Sequence, residues 1–298
     1  MRFTKSVVLA TTMLSSSMTL AYADVNVVAS IKPVHSLVSA VMDGVAKPTL
    51  LVEGAASPHT YSLKPSQAKQ LQEADIVFWM SHDLEAFLEN SIENIAQRAV
   101  SVPLIDSHNL TKLSFREGGA FDAHGHDDHD DHDDKHDDHD DKHDKHDDHD
   151  DQHDDHDDHN ETDPHVWLDP QNAKALVHEI EEQLAKIDPE NAEVYEANAS
   201  IIMKKLDKLT NEIDVNLKPI RGRGYVVFHG AYQYFENRFG ISAIGSITVS
   251  PEVMPGAERV RELQEKVREL DATCVFSEPQ FQPKLVATVT ENTNAGTG

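Results

Sequence analysis

Cysteine is nearly missing from this 298-residue chain: Cys274 stands alone, in the apolar run 272–276. A lone cysteine excludes a disulfide within the chain and leaves either a buried thiol or one whose partner lies elsewhere. Basic residues are scarce as well, 26 Lys and Arg against 53 Asp and Glu, for a net charge of −27. Such a surface repels nucleic acid and anionic lipid and attracts cations, so no nucleic-acid partner is expected. Beyond the N-terminus no apolar run approaches the ~20 residues needed to span a bilayer. There is no HExxH helix to mark a compact hydrolase metal site, and no phosphate-binding loop. Gly222-Arg-Gly224 lacks the third glycine and the helix of a dinucleotide motif, and reads as the lead into a strand.

What is present fits a soluble two-lobed protein. The length is about twice that of a typical domain, enough for two hydrophobic cores. Arg2 and Lys5 precede an apolar stretch at 7–20, and Ala21-Tyr22-Ala23 then supplies a small-x-small cleavage pattern. Residues 1–23 therefore read as a cleaved signal peptide. The mature chain would begin at Asp24 with a net charge of −29, because Arg2 and Lys5 leave with the signal. The stretch is 14 residues long and broken by Thr and Ser, too short for a membrane anchor. No cysteine follows it to carry a lipid. Export to the periplasm, without lipidation or direct membrane insertion, is the expectation.

From Asp24 to Asp106, runs at 25–30, 48–52, 76–80 and 100–105 read as strands, with helix-start signals at Lys64-Pro65-Ser66 and at Asp83. Strands alternating with helices imply a parallel sheet covered on both faces. In the last third, 225–228, 241–247 and 273–277 read as strands, with helical patterns at 232–239 and 256–270. Only three strands are visible in this part. A fourth is due at 294–298, where the chain stops, and the expectation is a lobe truncated at its C-terminal end. Asp169-Pro170 and Asp188-Pro189 each read as an N-cap followed by the first helical residue. The second opens a stripe of Tyr195, Ile202, Leu206, Leu209, Ile213 and Leu217 with no internal Pro or Gly. At 1.5 Å per residue it would run ~43 Å, the height of two lobes. The expected class is α/β: an N-terminal βα lobe at 24–188, a linking helix at 189–217 and a C-terminal βα lobe at 218–298, each lobe built on a parallel four-stranded sheet.

Three histidines fall in loops that a βα lobe directs to one side. His59 follows the strand ending at Val52, His229 comes directly after 225–228, and His165 stands just before the helix that starts at Asp169-Pro170. Ligands of parallel βα folds bind at the carboxyl ends of strands. Imidazole suits Zn(II), and three imidazoles with one further position make a tetrahedral site. Taken singly, each histidine also reads as an ordinary surface or hydrogen-bonded residue, and their wide separation in sequence does not decide between the two. His82, after the strand 76–80, is a further candidate for the same side, or a loop residue. His35, His108 and His178 read as surface or helix residues.

The segments Gly54-Ala-Ala-Ser-Pro-His-Thr-Tyr-Ser-Leu-Lys-Pro-Ser66, Asp163-Pro-His-Val-Trp-Leu-Asp-Pro170, Val227-Phe-His-Gly-Ala-Tyr-Gln-Tyr-Phe235, Ser250-Pro-Glu-Val-Met-Pro-Gly-Ala257 and Cys274-Val-Phe-Ser-Glu-Pro-Gln280 together resemble the ZnuA proteins. These are the solute-binding components of bacterial zinc ABC importers. The resemblance runs through the whole mature chain in order, interrupted only at 124–159. It implies two lobes joined by a long rigid helix, with metal in the cleft between them. It also implies His59 and His165 as ligands from the N-terminal side and His229 from the C-terminal side. The chain would be no enzyme but a monomeric carrier, delivering Zn(II) to a membrane permease whose ATPase is a separate subunit. Manganese-type relatives have a carboxylate where this chain has His229, and histidine favours zinc there because hard carboxylates suit Mn(II) better.

Two departures bear on the fourth ligand. Some ZnuA proteins use a Glu directly before the first His, where this chain has Pro58. Others draw on an Asp near the C-terminus, beyond Gly298. The fourth position is therefore a water, that Asp, or a carboxylate or His from elsewhere, with Glu278 read as an orienting group rather than a ligand. Relatives with a Cys in the Ala-Thr-Cys-Val-Phe context pair it near the C-terminus, so the resemblance implies a disulfide from Cys274 to a residue beyond 298. The alternatives are a binding protein for Mn or Ni, a zinc-dependent hydrolase, and an adhesin on the same fold, which the missing lipid-anchor cysteine disfavours.

The interrupting segment, 124–159, holds 12 His, 19 Asp and 3 Lys. With His neutral it carries −16 of the mature chain's −29. From His126 to His159 the histidines recur every three or four residues, as on one helix face. Asp is a poor helix former and like charges repel, so a disordered, solvated loop is expected. A solubilising acidic loop would not need so many imidazoles, and the expectation is weak collection of additional Zn(II) or sensing of metal abundance. Flexible ligands must be ordered on binding, so each such site should be weaker than a preformed one.

Overall fold

The computed structural model describes residues 25–116, 121, 162–248, 255–269, 272–281 and 283–298. The signal peptide expected at 1–23 and the metal-collecting loop expected at 124–159 lie outside the described residues. In the N-terminal part the apolar runs form β1 (Val27–Ala29), β2 (Thr49–Leu50), β3 (Ile76–Trp79) and β4 (Val100–Pro103). They lie all parallel in the order β2-β1-β3-β4. Each regular strand is shorter than its apolar run. The pairing nonetheless outlasts β2, since Leu51 N and Val52 N donate to Ala29 O and Ser30 O at 3.0 and 2.8 Å.

The period of two along each strand divides the core. Val27 and Ala29 of β1, with Ile76 and Phe78 of β3, join one cluster, while Val28, Val77 and Trp79 join the cluster on the opposite face. The first face packs against α1 (Lys32–Val41) and α4 (Pro170–Ile187), the second against α2 (Pro65–Glu73) and α3 (Ala86–Ile95). Pro65 opens α2 as expected, with Gln67 Oε1 accepting from Lys64 N at 2.9 Å. The start expected at Asp83 falls short, because α3 begins at Ala86.

The C-terminal part repeats the plan. Strands β5 (Tyr225–Val227), β6 (Ala243–Ser246), β7 (Cys274–Val275) and β8 (Gly296–Thr297) lie parallel in the order β6-β5-β7-β8. Between them run α6 (Gln233–Phe239), α7 (Ala257–Glu269) and α8 (Pro283–Thr290). Gly240 ends α6 at φ +64°, a left-handed turn that glycine makes without strain. Val226, Phe228 and Val275 form a core with Leu263 and Val267 of α7 and Val286 and Val289 of α8.

Strand β8 corrects the reading of three visible strands. Gly296 N donates to Thr273 O at 3.0 Å and Gly298 N to Val275 O at 3.1 Å, so pairing with β7 makes a strand of residues that carry no strand pattern of their own. Cys274 opens β7 with a thiol that pairs with no other cysteine of residues 1–298, and partial burial raises its pKa; the partner that the resemblance implies would lie beyond 298.

The linking segment begins with a single 3-10 turn, Pro189–Asn191, followed by α5 (Ala192–Leu217), 26 residues long. Asp169 caps α4 as expected, accepting from Gln171 N at 2.9 Å. Asp188 caps nothing, because its carboxylate is engaged by Tyr195 Oη at 2.7 Å and Asn191 Nδ2 at 2.8 Å. Helix α5 packs on α1 and α4 at one end of the molecule and on α6 in the C-terminal lobe, so it runs along both.

A second connection joins the lobes at α6. Tyr234 Oη donates to Asp163 O at 2.8 Å and accepts from Leu113 N at 3.0 Å. Arg238 forks onto Asp169 at 2.7 and 2.6 Å, and Arg116 Nη2 donates to the buried Glu236 at 2.6 Å.

Candidate metal centre

His59 stands in the loop between β2 and α2, His165 heads the 3-10 turn Val166–Leu168 that leads into α4, and His229 lies two residues past β5. The two sheets face their carboxyl ends toward one cleft, and there the three histidines meet. One ring nitrogen from each lies within 4.8 Å of the other two, the one such group among the described residues. Ring centroids are 5.6 Å apart for His59 and His165, 6.1 Å for His59 and His229, and 5.4 Å for His165 and His229. His165 and His229 are buried and His59 is half-buried. The cavity they line is about 320 Å³, with Ile31, Val52 and Leu84 on the N-terminal side and Tyr232 and Phe281 on the other. Apolar walls around three imidazoles exclude water and strengthen the attraction between nitrogen lone pairs and a cation.

Two rings are braced by carboxylates in the same way. Asp163 Oδ1 accepts from His165 N at 2.9 Å and pairs with His165 Nδ1 at 2.6 Å. Glu278 Oε1 accepts from His229 N at 3.4 Å and pairs with His229 Nδ1 at 2.7 Å. A carboxylate on Nδ1 requires the proton there and leaves Nε2 as the lone-pair nitrogen, which is the arrangement a metal-binding imidazole needs. Both carboxylates are buried, Asp163 with no exposure at all. Tyr232 closes one wall; burial, and then the charge of Glu278, push its hydroxyl pKa up to about 12, so it stays protonated at any physiological pH.

Glu278 thus stands where an orienting group was expected. Asp163 escaped sequence reading, its signal being no more than an acidic residue two places before a histidine. His82 takes no part: it is exposed and pairs with Glu89 at 2.6 Å. Pro58 lines the cavity without a donor atom to offer. His35 turns its Nε2 to Pro48 O at 3.1 Å, His178 pairs with Glu181 at 3.4 Å, and His108 is exposed. No fourth His, Cys, Asp or Glu joins the three among the described residues.

Two parallel βα lobes of one repeated topology, a long helix along both and, in the cleft, a trihistidine cluster that could hold a metal ion define a two-lobed protein of the binding-protein class. The family model described as zinc-uptake complex component A, periplasmic, matches residues 27–298, and the chain belongs to this ZnuA family. The chain is 57% identical over 273 residues to the high-affinity zinc uptake system protein ZnuA of Brucella abortus, covering 91% of this chain and 82% of that one. With the protein of the same name from Yersinia pestis it shares 35% over 299 residues, 96% of this chain and 86% of the other. Among solved structures, a ZnuA crystal structure superposes with a TM-score of 0.71 at 22% identity, covering 92% and 90%. The laminin-binding protein Lmb of Streptococcus agalactiae, described as bifunctional with adhesin and metal transporting activity, superposes at 0.70 with 21% identity, covering 92% and 88%. At these identities the two structures attest the fold alone.

Proposed function

We propose that this protein captures Zn(II) in the periplasm with His59, His165 and His229 and hands it to the membrane permease of an ABC importer, whose ATPase is a separate subunit. The observation that carries the reading is the meeting of three imidazole nitrogens within 4.8 Å, contributed by both lobes. Three borderline nitrogens and no hard oxygen among them suit zinc better than manganese. A zinc uptake function is also what the names of the 57% and 35% identical relatives state of those proteins. The ion enters between the lobes, takes the lone pairs of neutral imidazoles and stabilises the arrangement in which both lobes contribute ligands, which the permease then reads. Export through the signal at 1–23, absence of a lipid anchor and a monomeric carrier belong to the same reading, as do weak additional zinc sites on 124–159.

Metal analysis and zinc titration of the full chain test it. The wild type should show one tight site plus weaker ones. The His59→Ala, His165→Ala, His229→Ala triple variant should lose the tight site alone, and deletion of 125–159 the weak ones alone. A triple variant that keeps the tight site, or a wild type that prefers Mn(II) or Ni(II) to Zn(II), overturns the assignment.

A further inference from the structure

Each carboxylate that braces a site histidine has its second oxygen held by a glutamine amide. For Glu278 the glutamine is a near neighbour: Gln280 Nε2 donates to Glu278 Oε2 at 3.0 Å. For Asp163 it comes from the other lobe. Gln233 Nε2, on the first residue of α6, donates to Asp163 Oδ2 at 2.6 Å and to Ser114 O at 2.9 Å. Gln233 is buried, so these bonds are made out of water, where a donor on a carboxylate counts for more and its loss leaves oxygens without a partner.

We propose that Gln233 is a positioning residue of the metal centre, fixing the Asp163 carboxylate from across the cleft and thereby the ring of His165. Asp163 Oδ1 alone would leave the carboxylate free to rotate about its own side-chain bond and carry the imidazole with it. The second bond, from Gln233, removes that freedom. Gln233 lies four residues after His229, so the short segment from the end of β5 to the start of α6 carries one histidine of the cluster and braces another through Asp163. The geometry of the His165 ring therefore depends on α6 being docked against Asp163. This role rests on the trihistidine reading above.

Zinc affinity by chelator competition and nitrogen-15 NMR of histidine-labelled full chain test it, in wild type, Gln233→Leu, Asp163→Asn, the double variant and Tyr234→Phe. Gln233→Leu should bind zinc about tenfold more weakly, the low end of the effect of losing a ligand's hydrogen-bond partner. The double variant should be no weaker than Asp163→Asn alone, because Gln233 acts through that carboxylate. The protonated Nδ1 signal of His165 should be lost or broadened in Gln233→Leu. It should persist in Tyr234→Phe, which cuts bonds from α6 to backbone atoms of Leu113 and Asp163 but none to the carboxylate. If Gln233→Leu does not fold, Gln233→Asn, too short by one methylene to reach, carries the same comparison. Unchanged affinity, additive losses, or equal loss of the His165 signal in Tyr234→Phe overturns the role of Gln233. A His165→Ala variant with wild-type zinc binding overturns the site reading instead.

Discussion

The two lobes put the same crevice to different use. In each sheet the first and third strands lie side by side and their connections leave in opposite directions, which opens a crevice at the carboxyl ends. The C-terminal lobe fills its crevice with His229 from the end of β5 and Glu278 from the end of β7. The N-terminal lobe fills the equivalent place with Ser30, after β1, and Glu85, after β3. Ser30 Oγ donates to Glu85 Oε1, and Oε2 accepts from Met80 N at 2.9 Å and Ser81 N at 3.0 Å. One carboxylate aims an imidazole at the cleft. The other is wholly buried and does not line the cavity, whose wall is formed there by its chain neighbour Leu84 and Ser30's neighbour Ile31. A repeated topology thus offers two crevices, and this protein spends one on chemistry and one on the floor beneath it. The N-terminal histidines of the cluster come from outside the crevice, His59 after the edge strand β2 and His165 from the segment before α4.

The largest effect expected from this contrast concerns Glu85 and stability. Burial lifts its pKa from 4.5 to about 7, the hydrogen bonds from Ser30, Ser81 and Met80 offsetting only part of the rise. Between those values the folded chain holds the proton and the unfolded chain does not. The stabilisation is therefore complete below pH 4.5 and is lost as pH rises through 7. At 1.36 kcal/mol per unit the share is at most about 3 kcal/mol. Glu85→Gln mimics the protonated acid and lacks this share. Urea unfolding of variant and wild type in parallel should show their difference moving in the variant's favour by up to that amount between pH 5 and pH 8. Zinc affinity should stay close to wild type. A loss of zinc affinity in Glu85→Gln would put the N-terminal crevice inside the site and break the contrast.

Much of the frame could be read before any coordinates, for reasons that lie in single segments. The run 76–80 is apolar at every position and becomes a central strand buried on both faces, and Asp169-Pro170 caps α4 where it should. Gly296–Thr297 lies where a fourth strand was due but carries no strand pattern, because two residues, glycine and threonine, have no period and pair only through their partner β7. The three proposed ligands were legible because the segments around them carry family motifs. Their braces were legible only in part. Glu278 follows a strand and so pointed to the cleft, whereas Asp163 reaches His165 through a bend at Pro164 that no periodicity announces. Gln233, Tyr234 and Arg238 look like an ordinary helical stretch. Their partners lie 69 to 121 residues away and meet them only after both lobes have folded and docked.

Glu278→Gln gives the contrast its middle value. Glutamine keeps the length and one acceptor for His229 Nδ1–H but removes the charge that strengthens that bond, and its amide faces that of Gln280, which must turn over to pair with it. Zinc affinity should fall about tenfold to a hundredfold, with stability little changed, the reverse of the pattern expected for Glu85→Gln. The smallest effect belongs to Ser30→Ala. It removes one neutral donor from a buried carboxylate that retains two backbone N–H groups, so unfolding should become easier by about 1 kcal/mol. The size of that loss should depend on pH. Below 7 the protonated acid can use Ser30 Oγ as an acceptor, while above 7 the carboxylate loses one of three donors and the penalty grows. If the penalty is flat from pH 5 to pH 9, Glu85 does not titrate in this crevice and the distinction between a sealed carboxylate and a working one fails at its N-terminal end.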